Sequence, residues 1–237
     1  MNITPSPPSC ALGMAGHRIL RFVLVITAVA ATMGLAPAQH DHGAAQHLPK
    51  FDDPAKWSKA FDDPARDQWQ MPDRVIASLA MPPDAVVADI GAGTGYFAAR
   101  LARHLKGGIL YAVDIEKAMV HHLAERAKAS GLANLRAVLG TATAANLPEP
   151  VDLVVLVNVY HHVERRPAYF KRLRPSLKPG GRVAIVDYRP DAPKGPPQNH
   201  RIAPARIVSE MKSAGYRPVA SYDFLPRQSF TVFQADN

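Results

Sequence analysis

From residue 72 onward the chain alternates between two hydrophobic rhythms. Short, continuous, β-branched apolar runs are the pattern of strands buried on both faces. Apolar positions three and four residues apart are the pattern of amphipathic helices. The runs predict strands at 86–90, 109–115, 135–139, 151–157 and 182–187. Between them the helical period predicts helices at 73–79, 96–105, 117–130 and 166–177, the last stopped by Pro179-Gly180-Gly181. A proline-rich loop over 189–204 leads to a helix at 207–214, closed by Gly215, and to two strands near 219–224 and 229–233. Strands alternating with helices imply an α/β fold with a single doubly wound, mainly parallel sheet covered on both faces. Seven strands are expected, one of them antiparallel within the final pair.

Residues 1–71 follow other rules. Arg18 and Arg21 precede a mostly apolar run from 22 to 36, and Ala36-Pro37-Ala38 supplies small residues after it. That series is the layout of an export signal, predicting a signal peptide over 1–38 and a periplasmic or secreted protein. An uncleaved membrane anchor is the alternative, but a spanning helix takes about 20 apolar residues and this run is shorter, so no stable membrane span is expected after cleavage. Residues 39–71 read as a His-rich tail (His40, His42, His47) and a helical arm, and 72–237 as the domain proper. The arm holds a small repeat, Phe51-Asp-Asp-Pro-Ala55 and Phe61-Asp-Asp-Pro-Ala65, with Trp57 and Trp69 following the copies. Asp before Pro starts a helix well, because the side chain caps it and Pro tolerates the first turn. Two short helices with aromatic side chains docked on the domain are expected.

Composition narrows the field. The only cysteine, Cys10, precedes the apolar run, so the mature chain has no thiol for a disulfide, a zinc site or a nucleophile. Net charge is +8, of which residues 1–38 carry only Arg18 and Arg21, leaving +6 beyond them. A basic balance suits nucleic acid. Yet in the densest cluster, Arg165 to Lys178, the cations Lys171, Arg174 and Lys178 share one helical face beside an apolar stripe of Phe170, Leu173 and Leu177. That is a solvated face over a buried one. No aromatic residues are interleaved for base stacking, so no nucleic-acid partner is expected.

The chemistry gathers at Asp89-Ile-Gly91-Ala92-Gly93-Thr94-Gly95, the turn after the first strand. Glycines permit a tight turn and let a ligand approach bare backbone. The spacing is G-x-G-x-G, unlike the G-x-G-x-x-G of dinucleotide sites. A carboxylate at Asp89 would repel a pyrophosphate but suits a cationic amino-acid ligand. A second strand-end carboxylate, Asp114, follows about 20 residues on, where a ribose-binding acid belongs. These residues resemble the class I S-adenosylmethionine-dependent methyltransferases, especially small-molecule enzymes of the ubiquinone/menaquinone-biosynthesis type, over residues 72–235. Leu147-Pro148 with the run from Val151 to Asn158 resembles the family's fourth strand, and Leu177-Lys-Pro-Gly180-Gly181 its turn before the fifth. Residues 61–72 resemble a leader of exported members.

The resemblance implies a Rossmann-like fold with S-adenosyl-L-methionine as cofactor. Its methionine part would lie over Asp89, Gly91, Ala92, Gly93, Thr94 and Gly95, and its ribose hydroxyls on Asp114, with Ile115 and Asn158 completing the site. One departure is Gly140-Thr141-Ala142-Thr143: many relatives carry an acid there for the adenine amino group, and Thr141 and the Ala142 backbone stand in its place.

Methyl transfer is an in-line displacement, so the protein chiefly positions the acceptor and excludes water. A base is needed only when the acceptor must lose a proton. The candidates are Tyr160, His161 and His162 at the end of the fourth strand, with histidine able to take a proton near neutral pH. For each histidine singly, pinning the loop by hydrogen bonds is the competing role. Asn158-Val-Tyr160 lacks the prolines of the N-P-P-Y loop of amino-group nucleic-acid methyltransferases, and no close carboxylate set suggests a metal. A small-molecule acceptor is therefore expected. The arm enters just ahead of the first strand, so Arg66, Asp67 and Trp69 are expected to line the acceptor side as part of a lid. The alternative is a non-catalytic cofactor-binding or scaffolding domain that keeps only the fold.

Overall fold

The computed structural model describes residues 51–236; the expected export signal, Cys10 and the His-rich tract lie outside the described residues. In both copies of the arm repeat the second aspartate does the capping. Asp53 accepts from the Lys56 N–H at 3.1 Å and starts α1 (Pro54–Phe61), while Asp63 accepts from the Ala65 N–H at 2.9 Å and starts a short 3₁₀ turn that runs into α2 (Asp67–Gln70). Met71, in the left-handed region at φ 43°, breaks the run before α3 (Pro72–Ser78).

The alternation that follows is β1 (Val86–Ile90), α4 (Ala98–His104), β2 (Ile109–Asp114), α5 (Lys117–Ala129), β3 (Leu135–Leu139) and β4 (Val151–Val157). It continues with α6 (Arg166–Leu173), β5 (Leu177–Tyr188), α7 (Pro204–Ser213), β6 (Tyr216–Tyr222) and β7 (Gln228–Ala235). The seven strands form one sheet in the order β3-β2-β1-β4-β5-β7-β6. β1 to β5 run parallel, and β7 is antiparallel to both of its neighbours.

Three boundaries differ from the sequence reading. The helix expected to reach residue 177 ends at Leu173, because Pro175 has no N–H to continue it and Arg174–Ser176 tightens into a 3₁₀ turn. Leu177 is buried as expected, but as the first residue of β5, and Lys178 leaves the helical face to pair with Asp152 at 2.7 Å. Pro179-Gly180-Gly181 thus stops no helix; it is the irregular stretch of β5 where its register against β4 shifts. β6 starts at Tyr216, whose buried hydroxyl donates to the Phe170 carbonyl at 2.9 Å.

Side chains alternate across the sheet at period two. Val87, Leu153 and Val155 join Leu101, Leu105 and Leu123 on the face covered by α3, α4 and α5. Ala88, Val154 and Leu156 join Phe170, Leu173, Ile207 and Met211 on the face covered by α6 and α7. Phe170 is fully buried between Tyr160, ring centroids 5.4 Å apart, and Tyr216. Phe170→Ala should cost about 3–5 kcal/mol by lost transfer energy and an unfilled cavity, measured as a shift in urea unfolding.

Candidate active site

The strand order reverses between β1 and β4, which opens a crevice at the carboxyl ends of the strands. The turn after β1 is pinned on one side by Gly91 and Ala92, whose N–H groups donate to the Val113 carbonyl at 2.8 and 3.0 Å. Gly91, Gly93 and Gly95 all sit at positive φ, 73°, 55° and 91°. They do different jobs. A Cβ at Gly91 would come within 2.5 Å of the Val159 side chain, and one at Gly95 within 2.9 Å of Leu123. Those two glycines therefore also serve packing against the protein itself. Gly93 alone is open to the arm, with the Phe61 ring 3.5 Å from where its Cβ would stand.

Two carboxylates flank this turn. Asp89 is 2 % exposed and its Oδ2 has no hydrogen-bond partner among the described residues. Burial and the nearby charge of Asp114 push its pKa up to about 7. Asp114 accepts from the Gly93 N–H at 2.9 Å and from the Glu116 N–H at 3.0 Å. Burial raises its pKa too, while those N–H groups oppose the shift. Ile115, next along, is 57 % exposed despite its apolar side chain. Thr141 and Ala142 lie in an exposed turn after β3, where the Thr141 hydroxyl accepts from the Ala144 N–H at 3.0 Å.

Beyond β4, Asn158 takes a left-handed φ of 59° and accepts from Gln228 Nε2 at 2.5 Å. His161 is tied twice to Asp187 at the end of β5: its N–H donates to Oδ2 at 2.9 Å and its Nδ1 lies 2.8 Å from Oδ1. The two side chains are 3 % and 2 % exposed. His162 packs on it, ring centroids 4.1 Å apart. Burial and the neighbouring His161 bring the pKa of His162 down to about 4, so it is neutral at pH 7. Tyr160 does not join them. The 3₁₀ turn Tyr160–His162 rotates it into the core, where it stacks on Phe170 and donates to Glu210 at 2.8 Å. Its hydroxyl serves the α6–α7 packing and carries none of the site's chemistry.

The arm lies over these loops. Phe51, Trp57 and Phe61 form one aromatic cluster, with Phe51 edge-on to His162 at 5.7 Å. Asp62 accepts from the Thr94 hydroxyl at 3.1 Å and from Arg126 at 2.8 Å, and Arg126 also donates to the Thr94 carbonyl at 2.7 Å. Asp67 accepts from the Tyr96 hydroxyl and pairs with Arg100 at 3.0 Å; Trp69 meets Tyr188, at the end of β5, with ring centroids 5.8 Å apart. Arg66, Asp67 and Trp69 are thus placed at the carboxyl edge of the sheet. Asp62 and Arg126 are the site residues that sequence reasoning gave no role. Only the doubled aspartate of the repeat hinted at the first, since one of each pair caps and the other is spare.

Comparison with known proteins agrees with this geometry. A methyltransferase-domain family model matches residues 87–181, the span from β1 to the start of β5. An uncharacterized methyltransferase of Bacillus subtilis is 25% identical over 166 residues, covering 70% of this chain and 87% of that protein. The chain spans about half the length of other curated methyltransferases that it matches. Among solved structures, an S-adenosylmethionine-dependent methyltransferase from Aquifex aeolicus superposes with a TM-score of 0.71 at 23% identity, over 77% of this chain and 98% of that one. A Burkholderia thailandensis 1,6-didemethyltoxoflavin-N1-methyltransferase, with its toxoflavin precursor and S-adenosylhomocysteine bound, gives 0.55 at 20% identity over 78% of this chain and 87% of that one. The glycine turn, the strand-end acid and these likenesses converge: the chain carries a methyltransferase domain and is similar to the class I S-adenosylmethionine-dependent methyltransferases, with S-adenosylmethionine as its cofactor.

Proposed function

We propose that this crevice holds S-adenosylmethionine and that the chain passes its methyl group to a small-molecule acceptor outside the cytoplasm. One observation carries the assignment of the site: a buried carboxylate oxygen, Asp89 Oδ2, without a partner among the described residues, beside a second buried carboxylate, Asp114. Two acids at one turn repel each other, and a ligand that is both an amino acid and a nucleoside relieves both. Asp89 would hold the ammonium group and Asp114 the ribose hydroxyls, by charge-assisted hydrogen bonds. The exposed Ile115 offers an apolar face to a purine, with Thr141 and Ala142 nearby across β2 and β3. Bound there, the cofactor supplies an electrophilic methyl group on a sulfonium.

The chain's own residues do the rest. Asp187 accepts from Nδ1 of His161, which fixes the tautomer and leaves Nε2 with its lone pair. Nε2 receives a proton when the acceptor atom carries one. Neutral His162 adds no positive charge beside that nitrogen. The arm's aromatic cluster excludes water from the crevice. A small-molecule acceptor is supported by the likeness to the toxoflavin-precursor enzyme and by the absence of a base-stacking surface in the sequence. Export is supported by the basic, apolar and small-residue series over 18–38.

Three outcomes test this reading. Below its pKa of about 7 Asp89 is neutral, and above it the carboxylate attracts an ammonium. Calorimetric affinity for S-adenosylhomocysteine should therefore rise between about pH 6 and pH 8, and Asp89→Asn should flatten the profile; a flat wild-type profile would remove Asp89 from the site. Asp114→Asn should weaken the same binding by about 1–3 kcal/mol through loss of a charged partner, with little change in the urea midpoint. Cell fractionation and N-terminal sequencing should find a mature chain starting near Gln39 outside the cytoplasm, and a full-length cytosolic protein would refute export.

A further inference from the structure

The acids and arginines at the acceptor edge do not balance. Three acids of this edge are each held by an arginine outside the trio below: Asp62 by Arg126 at 2.8 Å, Asp67 by Arg100 at 3.0 Å and Asp191 by Arg189 at 3.2 Å, which leaves Asp187, hydrogen-bonded to His161, as one negative charge. Arg66, Arg201 and Arg227 have no carboxylate within ion-pair distance among the described residues. Residues 1–50 hold a single acid, Asp41, against these three cations.

The three surround one aromatic pair. Arg227 lies over the Trp69 ring at 4.7 Å, and Trp69 meets Tyr188 at 5.8 Å. The proline-rich loop also presses on Tyr188, so closely that a Cβ on Gly195 would stand 2.6 Å from its ring. Arg201 holds that loop by donating to the carbonyls of Pro190, Ala192 and Pro196. Arg66 gives its hydrogen bonds to the Phe61 carbonyl and to Gln70 Oε1, both uncharged. Burial pushes the Tyr188 hydroxyl up; Arg66, Arg227 and Arg201 pull it back and Asp187 opposes them, so three positive charges and one negative act there. Gln228, level with Tyr188 in the β5–β7 register, is fully buried, and its Oε1 has no partner. Part-buried cations without a counter-charge are costly, and a buried acceptor without a donor is costly too.

We infer that the edge formed by Trp69, Tyr188, Arg66, Arg201, Arg227 and Gln228 is the acceptor subsite and takes a small planar acid, a carboxylate on an aromatic or conjugated frame. The inference rests on the methyl-transfer reading and narrows its acceptor class. The flat frame lies along the edges of the two part-buried rings, the arginines neutralise the carboxylate, and Gln228 Oε1 accepts one hydrogen bond from the ligand. Arg66 stands over the ring of Tyr96, the residue after the glycine turn that would hold the cofactor, so the test rests on the other two arginines.

The test compares salicylate with its neutral isostere salicylamide on the purified protein, with and without saturating S-adenosylhomocysteine, by calorimetry and by quenching of tryptophan fluorescence. Salicylate should bind about tenfold more tightly than the amide, and Arg227→Gln and Arg201→Gln should each erase most of that preference while Arg227→Lys keeps it. S-adenosylhomocysteine affinity should be unchanged in Arg227→Gln. Equal binding of acid and amide, no binding of either, or a preference indifferent to both arginines would overturn the acid subsite. Failure of the parent reading looks different, because S-adenosylhomocysteine itself would not bind.

Discussion

Val159 reaches so far into the turn after β1 that residue 91 has no room for a side chain, and the site's geometry follows from that interlock. The β1 turn is trapped between the Val113 carbonyl on one side and the β4 loop on the other. Its backbone is thereby held at positive φ through three glycines, and Gly93 is presented with its N–H on Asp114. The same β4 loop, fixed by its contact with Gly91, sets Asn158 in the left-handed region and delivers His161 to Asp187. Carboxylates, backbone and imidazole are thus positioned by packing between neighbouring parallel strands, before any ligand contributes.

The arm is held by a different kind of force. α1 buries no residue fully, and the arm around it is tied to the domain by partly exposed ion pairs and ring contacts from Phe51, Asp62 and Asp67. Exposed pairs of this kind contribute at most about 1 kcal/mol each, whereas the sheet rests on two continuous apolar cores. By that measure the arm is the less stable element and the sheet the rigid one.

What the sequence disclosed is what local backbone rules determine. The strand run 86–90, the glycine turn and the acid closing β2 are written in consecutive residues, and each stands where its pattern put it. The antiparallel strand was legible from two adjacent runs with a short link, although only the coordinates show that β7 inserts between β5 and β6. Leu177 misled because its spacing from Phe170 and Leu173 continues a helical stripe, while Pro175 had already ended the helix. Tyr160 misled because one turn of 3₁₀ helix rotates adjacent residues apart, sending the tyrosine to the core and the histidines to the crevice. Asp62 with Arg126, and His161 with Asp187, pair residues far apart in the chain, and no periodicity encodes such contacts.

The acceptor edge joins Trp69, which precedes the first strand, to Arg227 and Gln228, which open the last described one. Synthesis separates these residues by most of the domain. Every part of the crevice around Asp89, Asp114 and His161 is on the chain before β7 exists, yet the wall facing the acceptor is missing until β7 slides between β5 and β6. The place for the cofactor is thus drawn from the earlier strands, and the place for what receives its methyl group from the meeting of both ends of the domain.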